Sequence, residues 1–340
     1  MSIQKISQNY TTQILKNKTL LKGLEKISEH GTSFTAGTSL IMSLSVRLLA
    51  INSTPDVEKE NKQYAMANSI CSGLIKFGMV EAIALPIEKA VKNIDNNPQK
   101  FLKNSKHFAG TKAYKLVTQM FKLGTGFLMA IPKSMLTIAL IPVIMDKLFN
   151  QKEKTKLNTL PQNTSIQKKN KNTNFTGNFT NTLSKGIGKI LDNKDIQNLA
   201  RKFQNKDKDI AKHISAGTDI LLTSSFAYQT AKSDKIKENR KKALIYNNVI
   251  STGITLGLGY GIDNIIKKNT NKFIDKFKQI NLADPKLQKY VEGINILRPA
   301  VIFAVIYYGI LPMFSTYMAE RIDKFIEKQN KPKTDKKYGA

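Results

Sequence analysis

"AGTSLIMSLSVRLLAI" (residues 36–51) and "AGTDILLTSSFAYQTA" (residues 216–231) decide how this chain is read. Both open on the same tripeptide and run on for about four turns of helix. The segments after them also match in order. "ENKQYA" (60–65) answers "ENRKKA" (238–243), and "NSICSG" (68–73) answers "NVISTG" (248–253), with a two-residue gap that is recovered afterwards. Each copy closes on a further apolar stretch with two prolines, Pro132 and Pro142 or Pro299 and Pro312, at different spacings. Self-similarity at a fixed offset is the sign of a repeated structural unit. The expected fold is therefore all-α: a transmembrane helical bundle of two related three-helix repeats joined by a disordered linker. In this reading AGT opens the first helix of each repeat, with Thr or Ser near the N-cap. A third AGT, at 109, does not fit the pattern.

The repeats set the expected boundaries. Residues 1–149 hold an amphipathic helix, carrying Leu20, Leu21, Leu24 and Ile27 at helical spacing, and the first repeat. Residues 150–182 are rich in Asn, Lys and Thr, with too few large apolar groups to offset the entropy of ordering, and are expected to be a disordered linker. An amphipathic helix and the second repeat fill 183–327, and 328–340 form a basic tail.

The membrane expectation rests on length. Crossing a bilayer core takes roughly 20 apolar residues. The stretches within 117–149 and 299–319 reach that length, 34–52 is borderline, 65–87 and 244–262 are weaker, and 216–231 fails alone. Pro132 is expected to kink or divide the Leu116–Phe149 stretch, with Pro142, Pro299 and Pro312 as further kinks. Gly253, Gly257 and Gly261 recur every four residues and form a smooth stripe on a helix; with Gly73, the counterpart of Gly253, they are read as helix-packing positions. Four charges fall within the apolar segments: Arg47, Lys76, Glu81 and Lys133. A charge at the centre of a membrane helix costs roughly 2.5–3.5 kcal/mol on insertion scales. Such groups either face a polar seam or line a solute path. Lys76 and Glu81, five apart, do not share a helix face. A mean hydropathy of −0.29 counts against the membrane, although the Lys/Asn-rich connections account for much of it.

The charge balance speaks to partners. The 340 residues carry 54 Lys+Arg against 25 Asp+Glu, a net charge of +29. That attracts polyanions and anionic lipid. Nearly all the cations are Lys, whereas base reading favours the planar fork of Arg, so sequence-specific nucleic-acid binding is not expected. The lone cysteine, Cys71, cannot form an intramolecular disulfide. The three histidines, His30, His107 and His213, lie six, two and three residues before the AGT triplets, too variably for a metal site. No secretory signal, Walker loop, HExxH or GxSxG motif is found, and no catalytic residue, metal or cofactor is expected. The expected partners are the lipid bilayer, anionic head groups and further copies of the chain. The expected function is that of an integral membrane helical protein of structural, scaffolding or transport role, in the bacterial cytoplasmic membrane. The alternative is a soluble or peripheral cationic helical protein that binds anionic membrane surface or nucleic acid.

Overall fold

The computed structural model describes residues 12–150, 175–204, 207–261 and 263–330, and no strand occurs among them. The helices run α1 (residues 12–15), α2 (Lys18–Glu29), α3 (Gly31–Leu44), α4 (Val46–Asn52), α5 (Lys59–Met79), α6 (Leu85–Asn96), α7 (Pro98–Phe101), α8 (Lys112–Phe149), α9 (Phe175–Leu191), α10 (Lys194–Phe203), α11 (Asp207–Lys232), α12 (Glu238–Gly261), α13 (Asp263–Ile280), α14 (Leu287–Val305) and α15 (Leu311–Asn330). Two π-helical turns, Val80–Ala84 and Ile306–Ile310, join α5 to α6 and α14 to α15.

The chain divides into two compact units, and neither is one half of the sequence. Unit 1 joins Met1–Leu74 to Ile236–Ala340, and unit 2 is Ile75–Lys235. Each unit thus combines helices from both halves. In unit 1, α2, α3 and α4 pack on α14, the π turn and α15, while α12 packs on α15. In unit 2, α8 packs along α11, and α6 packs on α9.

Unit 1 has a core of Leu15, Leu24, Ile274, Phe277, Tyr290 and Ile294. The chain turns into α2 at Asn17, whose side-chain oxygen accepts the free amides of Thr19 (2.9 Å) and Leu20 (3.2 Å). Ion pairs hold α2 to the start of α14 and the residue before it: Lys286–Glu25 at 2.8 Å, Lys289–Glu29 at 2.7 Å and Lys289–Glu25 at 3.7 Å. The hydrogen bond and charge of Lys289 hold the Glu29 carboxyl below its ordinary value of 4.5, and the same bond raises Lys289 above 10.5. The stabilisation from Glu29 is present above 4.5 and lost as pH falls through the lowered value; that from Lys289 is present below 10.5 and lost as pH rises through the raised one. We therefore expect the melting temperature of wild type to fall more than that of Glu29→Gln between pH 7 and pH 3. Equal falls would show that the pair contributes nothing.

Unit 2 has its own core, built on Val91, Ile94, Phe101, Phe108, Tyr114 and Leu191. Phe108 meets Tyr114 edge to face at 5.8 Å, and the Tyr114 hydroxyl donates to Asp95 at 2.5 Å. Asn193 caps α10 as Asn17 caps α2, accepting the amides of Asp195 (2.8 Å) and Ile196 (3.3 Å).

Several elements differ from the sequence expectation. The AGT triplets at 36 and 216 do not open helices; they lie inside α3 and α11, which begin at Gly31 and Asp207. Thr218 of the second triplet bonds back to the Ile214 carbonyl, and Thr35, just before the first triplet, to that of Gly31, both at 2.8 Å. The third AGT does open a helix. Gly110 takes φ +76°, a conformation other residues resist, and Thr111 caps α8 by accepting the Tyr114 amide at 3.1 Å. Helix α8 is continuous over 38 residues, so Pro132 and Pro142 do not divide it. Of the expected linker, residues 151–174 lie outside the described residues, while 175–182 belong to α9, whose Leu183 packs on the unit 2 core.

Candidate functional site

The polar groups within the long apolar helices are brought together in each unit. In unit 2, Asp219 follows AGT on α11, and the charges of Lys133 and Lys76 act on its carboxylate from α8 and α5. The setting is made by small residues. Gly126, Ala130 and Ser134 recur every four positions along α8. The Ser134 and Ser225 hydroxyls lie 2.5 Å apart, and a Cβ on Gly126 would stand 3.6 Å from Thr218. Small side chains at this spacing let two helix backbones approach closely. Two of the charges read from the sequence, Lys76 and Lys133, thus act on one carboxylate, and that group, Asp219, went unmarked. Its signal was the AGTD against AGTS difference between the two halves.

Unit 1 holds the counterpart. Ser39, which follows the other AGT, hydrogen-bonds Tyr308 in the second π turn. Arg47 lies where its charge and Tyr308 interact, with its Nε buried and without a hydrogen-bond partner among the described residues. The helix breaks next to it, at Ser45 (φ −124°, ψ −81°), whose hydroxyl bonds back to the Ile41 carbonyl at 2.6 Å. Gly73 is a packing position: a Cβ there would stand 2.8 Å from the Ser43 Cβ, and Ser69 donates to the Ser43 carbonyl at 2.9 Å.

The two π turns share a cause that the sequence does carry. Each is followed by Leu-Pro, at Leu85-Pro86 and Leu311-Pro312. Proline has no amide hydrogen and its ring crowds the carbonyl four residues back. The helix widens, and the amides of Leu85 and Leu311 reach five residues back to the carbonyls of Val80 and Ile306. Such turns occur often at functional sites. Pro312 thus marks a widened turn in the helical run from α14 to α15. Pro299 lies within α14, outside the residues whose side chains are described.

A third network in unit 1 was not read from the sequence. The start of α5 and the region around the start of α12 meet through the matched EN motifs. Lys237 pairs with Glu60 at 2.6 Å, and Arg240 with Glu60 at 2.8 Å and with Glu58. Asn61 accepts from Arg240 at 3.2 Å and donates to the buried Glu320 at 2.6 Å, which in turn pairs with Lys324 at 2.9 Å. Asn247 donates to Thr316 at 2.8 Å nearby. Every charge here has a partner, which fits a joint better than a reaction site.

The remaining expected positions are dispersed. Glu81 is exposed on the first π turn. Gly253 and Gly257 are exposed with no described atom within 4 Å of a would-be Cβ, so no described helix packs there; α12 turns Leu244 and Asn247 inward instead. Gly261 ends α12, outside the residues whose side chains are described. The three histidines are exposed at separate places, and no group of three or more His, Cys, Asp or Glu among the described residues is placed to hold a metal. Cys71 is buried.

The surface around these groups is apolar. Among the described residues, three helical runs are long and apolar enough to cross a membrane: Gly31–Asn52, Lys59–Asn96 and Lys112–Phe149. Their large side chains face outward, among them Leu128 (78% exposed), Leu49 (68%), Ile41 (63%) and Met135 (52%). The chain matches no family model, no curated protein and no solved structure.

Proposed function

We propose that the chain is an integral membrane protein built from two related three-helix repeats, with a structural or transport role in that membrane. The observation that carries this reading is the outward apolar face of the three long helical runs. Contiguous exposed apolar surface on this scale is not kept against water without a partner. The buried polar seams support it too, since hydroxyl and amide pairs between helices are a common way of joining helices in lipid.

The repeat reading draws support from matched details. Leu15 and Leu191 are both buried just before the capping residues Asn17 and Asn193. Tyr114 and Tyr290, each in the first turns of the third apolar helix of its half, both donate to an aspartate, Asp95 and Asp284. Unit 1 combines α3, α4 and most of α5 from the first half with α12, α14 and α15 from the second, and unit 2 combines α6 and α8 from the first half with α11 from the second.

The transport variant rests on the Asp219, Lys133 and Lys76 seam, whose formal charge of two cations and one anion suits an anionic solute. The soluble cationic alternative is favoured by one observation, the apolar cores under the Lys-rich helices α2, α6, α9 and α10. Alkaline carbonate washing of membranes from expressing cells separates the two. The membrane reading predicts release only by detergent. Release by carbonate or salt would replace it with the peripheral, charge-driven one.

A further inference from the structure

We infer that Arg47 and Tyr308 in unit 1 form a binding site for a singly charged carboxylate. Arg47 stands on the inner face of α4, three and four residues before the buried Ala50 and Ile51. Its Nε is buried without a hydrogen-bond partner, and its guanidinium makes no ion pair among the described residues. Arginine keeps its charge at every ordinary pH, so losing a proton is no way out. A buried cation left without an anion is strongly unfavourable.

The surrounding helices supply no acid. Helix α4 packs on α3, on the second π turn and on α15. Neither Asp nor Glu occurs between Glu29 and Asp56, which spans α3 and α4, or between Glu292 and Glu320, which spans the π turn and the start of α15. The acids that bound these stretches are engaged elsewhere. Glu29 pairs with Lys289 and Asp56 with Arg321, Glu292 accepts from Ser28, and Glu320 is held by Asn61 and Lys324. Arg47 thus differs from Lys76 and Lys133, which act on the carboxylate of Asp219. Its counter-charge has to come from outside the chain.

Two features choose the ligand. The site offers one full charge, which a single negative charge balances. The unpartnered Nε–H belongs to the edge of the guanidinium that grips two oxygens side by side, as a carboxylate presents them and a spherical ion does not. Tyr308 adds a second contact. Its hydroxyl is bonded to Ser39, and with Ser39 as the donor the phenol proton can be given to a carboxylate oxygen. The inference rests on the packing of unit 1 and not on the membrane reading.

The full chain in dodecyl maltoside is melted while sodium formate replaces sodium chloride at constant ionic strength. Formate is expected to raise the melting temperature of wild type along a saturating curve. Arg47→Gln should abolish the saturating rise. Arg47→Lys, which keeps the charge without the fork, and Tyr308→Phe should each need several-fold more formate for half the rise, and they carry the test if Arg47→Gln does not fold. The inference is overturned by no rise in wild type, by an equal rise in Arg47→Gln, which marks a general salt effect, or by unchanged half-saturation in Arg47→Lys and Tyr308→Phe. Each of these failures leaves the carbonate result standing.

Discussion

Replacing Gly293 by alanine is expected to destabilise the protein, although alanine normally favours a helix over glycine by about 1 kcal/mol. Gly293 lies within α14, where a Cβ would run into the Leu24 carbonyl oxygen of α2, with the Leu24 carbonyl carbon at 2.8 Å and Cα at 3.0 Å. The obstacle is backbone, which cannot swing aside as a side-chain tip can. Relief requires α2 to move off α14 and open the core around Leu24 and Ile294. A backbone obstacle puts the cost at the upper end of the overpacking range of about 1–3 kcal/mol, so after the alanine gain of about 1 kcal/mol the net loss is about 2 kcal/mol. Gly257→Ala is the control. It sits exposed on α12 with no described atom within 4 Å, and the same substitution there should leave stability unchanged or raise it by up to about 1 kcal/mol. Melting temperatures of the two variants in one detergent decide the matter. A Gly293→Ala variant as stable as wild type would show that α2 does not pack on α14 as described.

The second large effect is Leu128→Lys. In water, a lysine in place of a leucine 78% exposed on a helix would change stability by no more than about 0.5 kcal/mol. Facing lipid, the same change costs roughly 2.5–3.5 kcal/mol at mid-helix. The yield in the membrane fraction should fall several-fold, while Gln119→Lys, near the start of α8 and also exposed, should leave it unchanged. Equal yields for both variants would mean that the face of α8 around Leu128 meets water.

What could be read in the sequence alone divides along a simple physical line. Apolar length and periodicity are properties of a segment, so the helical fold and the long runs at 34–52, 65–87 and 117–149 were legible. Helix starts were less so. AGT begins a helix at Gly110-Thr111 but sits within one at Ala36 and Ala216, because the polar residues upstream, such as Thr32 and Ser33, extend α3 by one more turn. Pairing between helices is a property of two distant segments. Glycine spacing pointed to Gly253, Gly257 and Gly261, yet the face used between α8 and α11 mixes glycine, alanine and serine at 126, 130 and 134. Of the four charges marked in the apolar segments, Lys76 and Lys133 act on Asp219, while the charge of Arg47 interacts with Tyr308. Finding those partners needs the exchange of helices between halves, which no local pattern announces.

Contact between the outward apolar faces and lipid is tested most directly by a nitroxide scan of α8 in bilayer vesicles. The background is Cys71→Ala, with probes at Leu128, Ile131 and Met135 on the exposed face and at Ala130 and Ser134 on the buried one. Accessibility to oxygen, which partitions into hydrocarbon, is compared with that to a water-soluble nickel chelate. Lipid contact predicts high oxygen and low nickel accessibility at 128, 131 and 135, and low values for both at 130 and 134. High nickel accessibility at the three exposed positions would place that face in water and contradict the membrane reading.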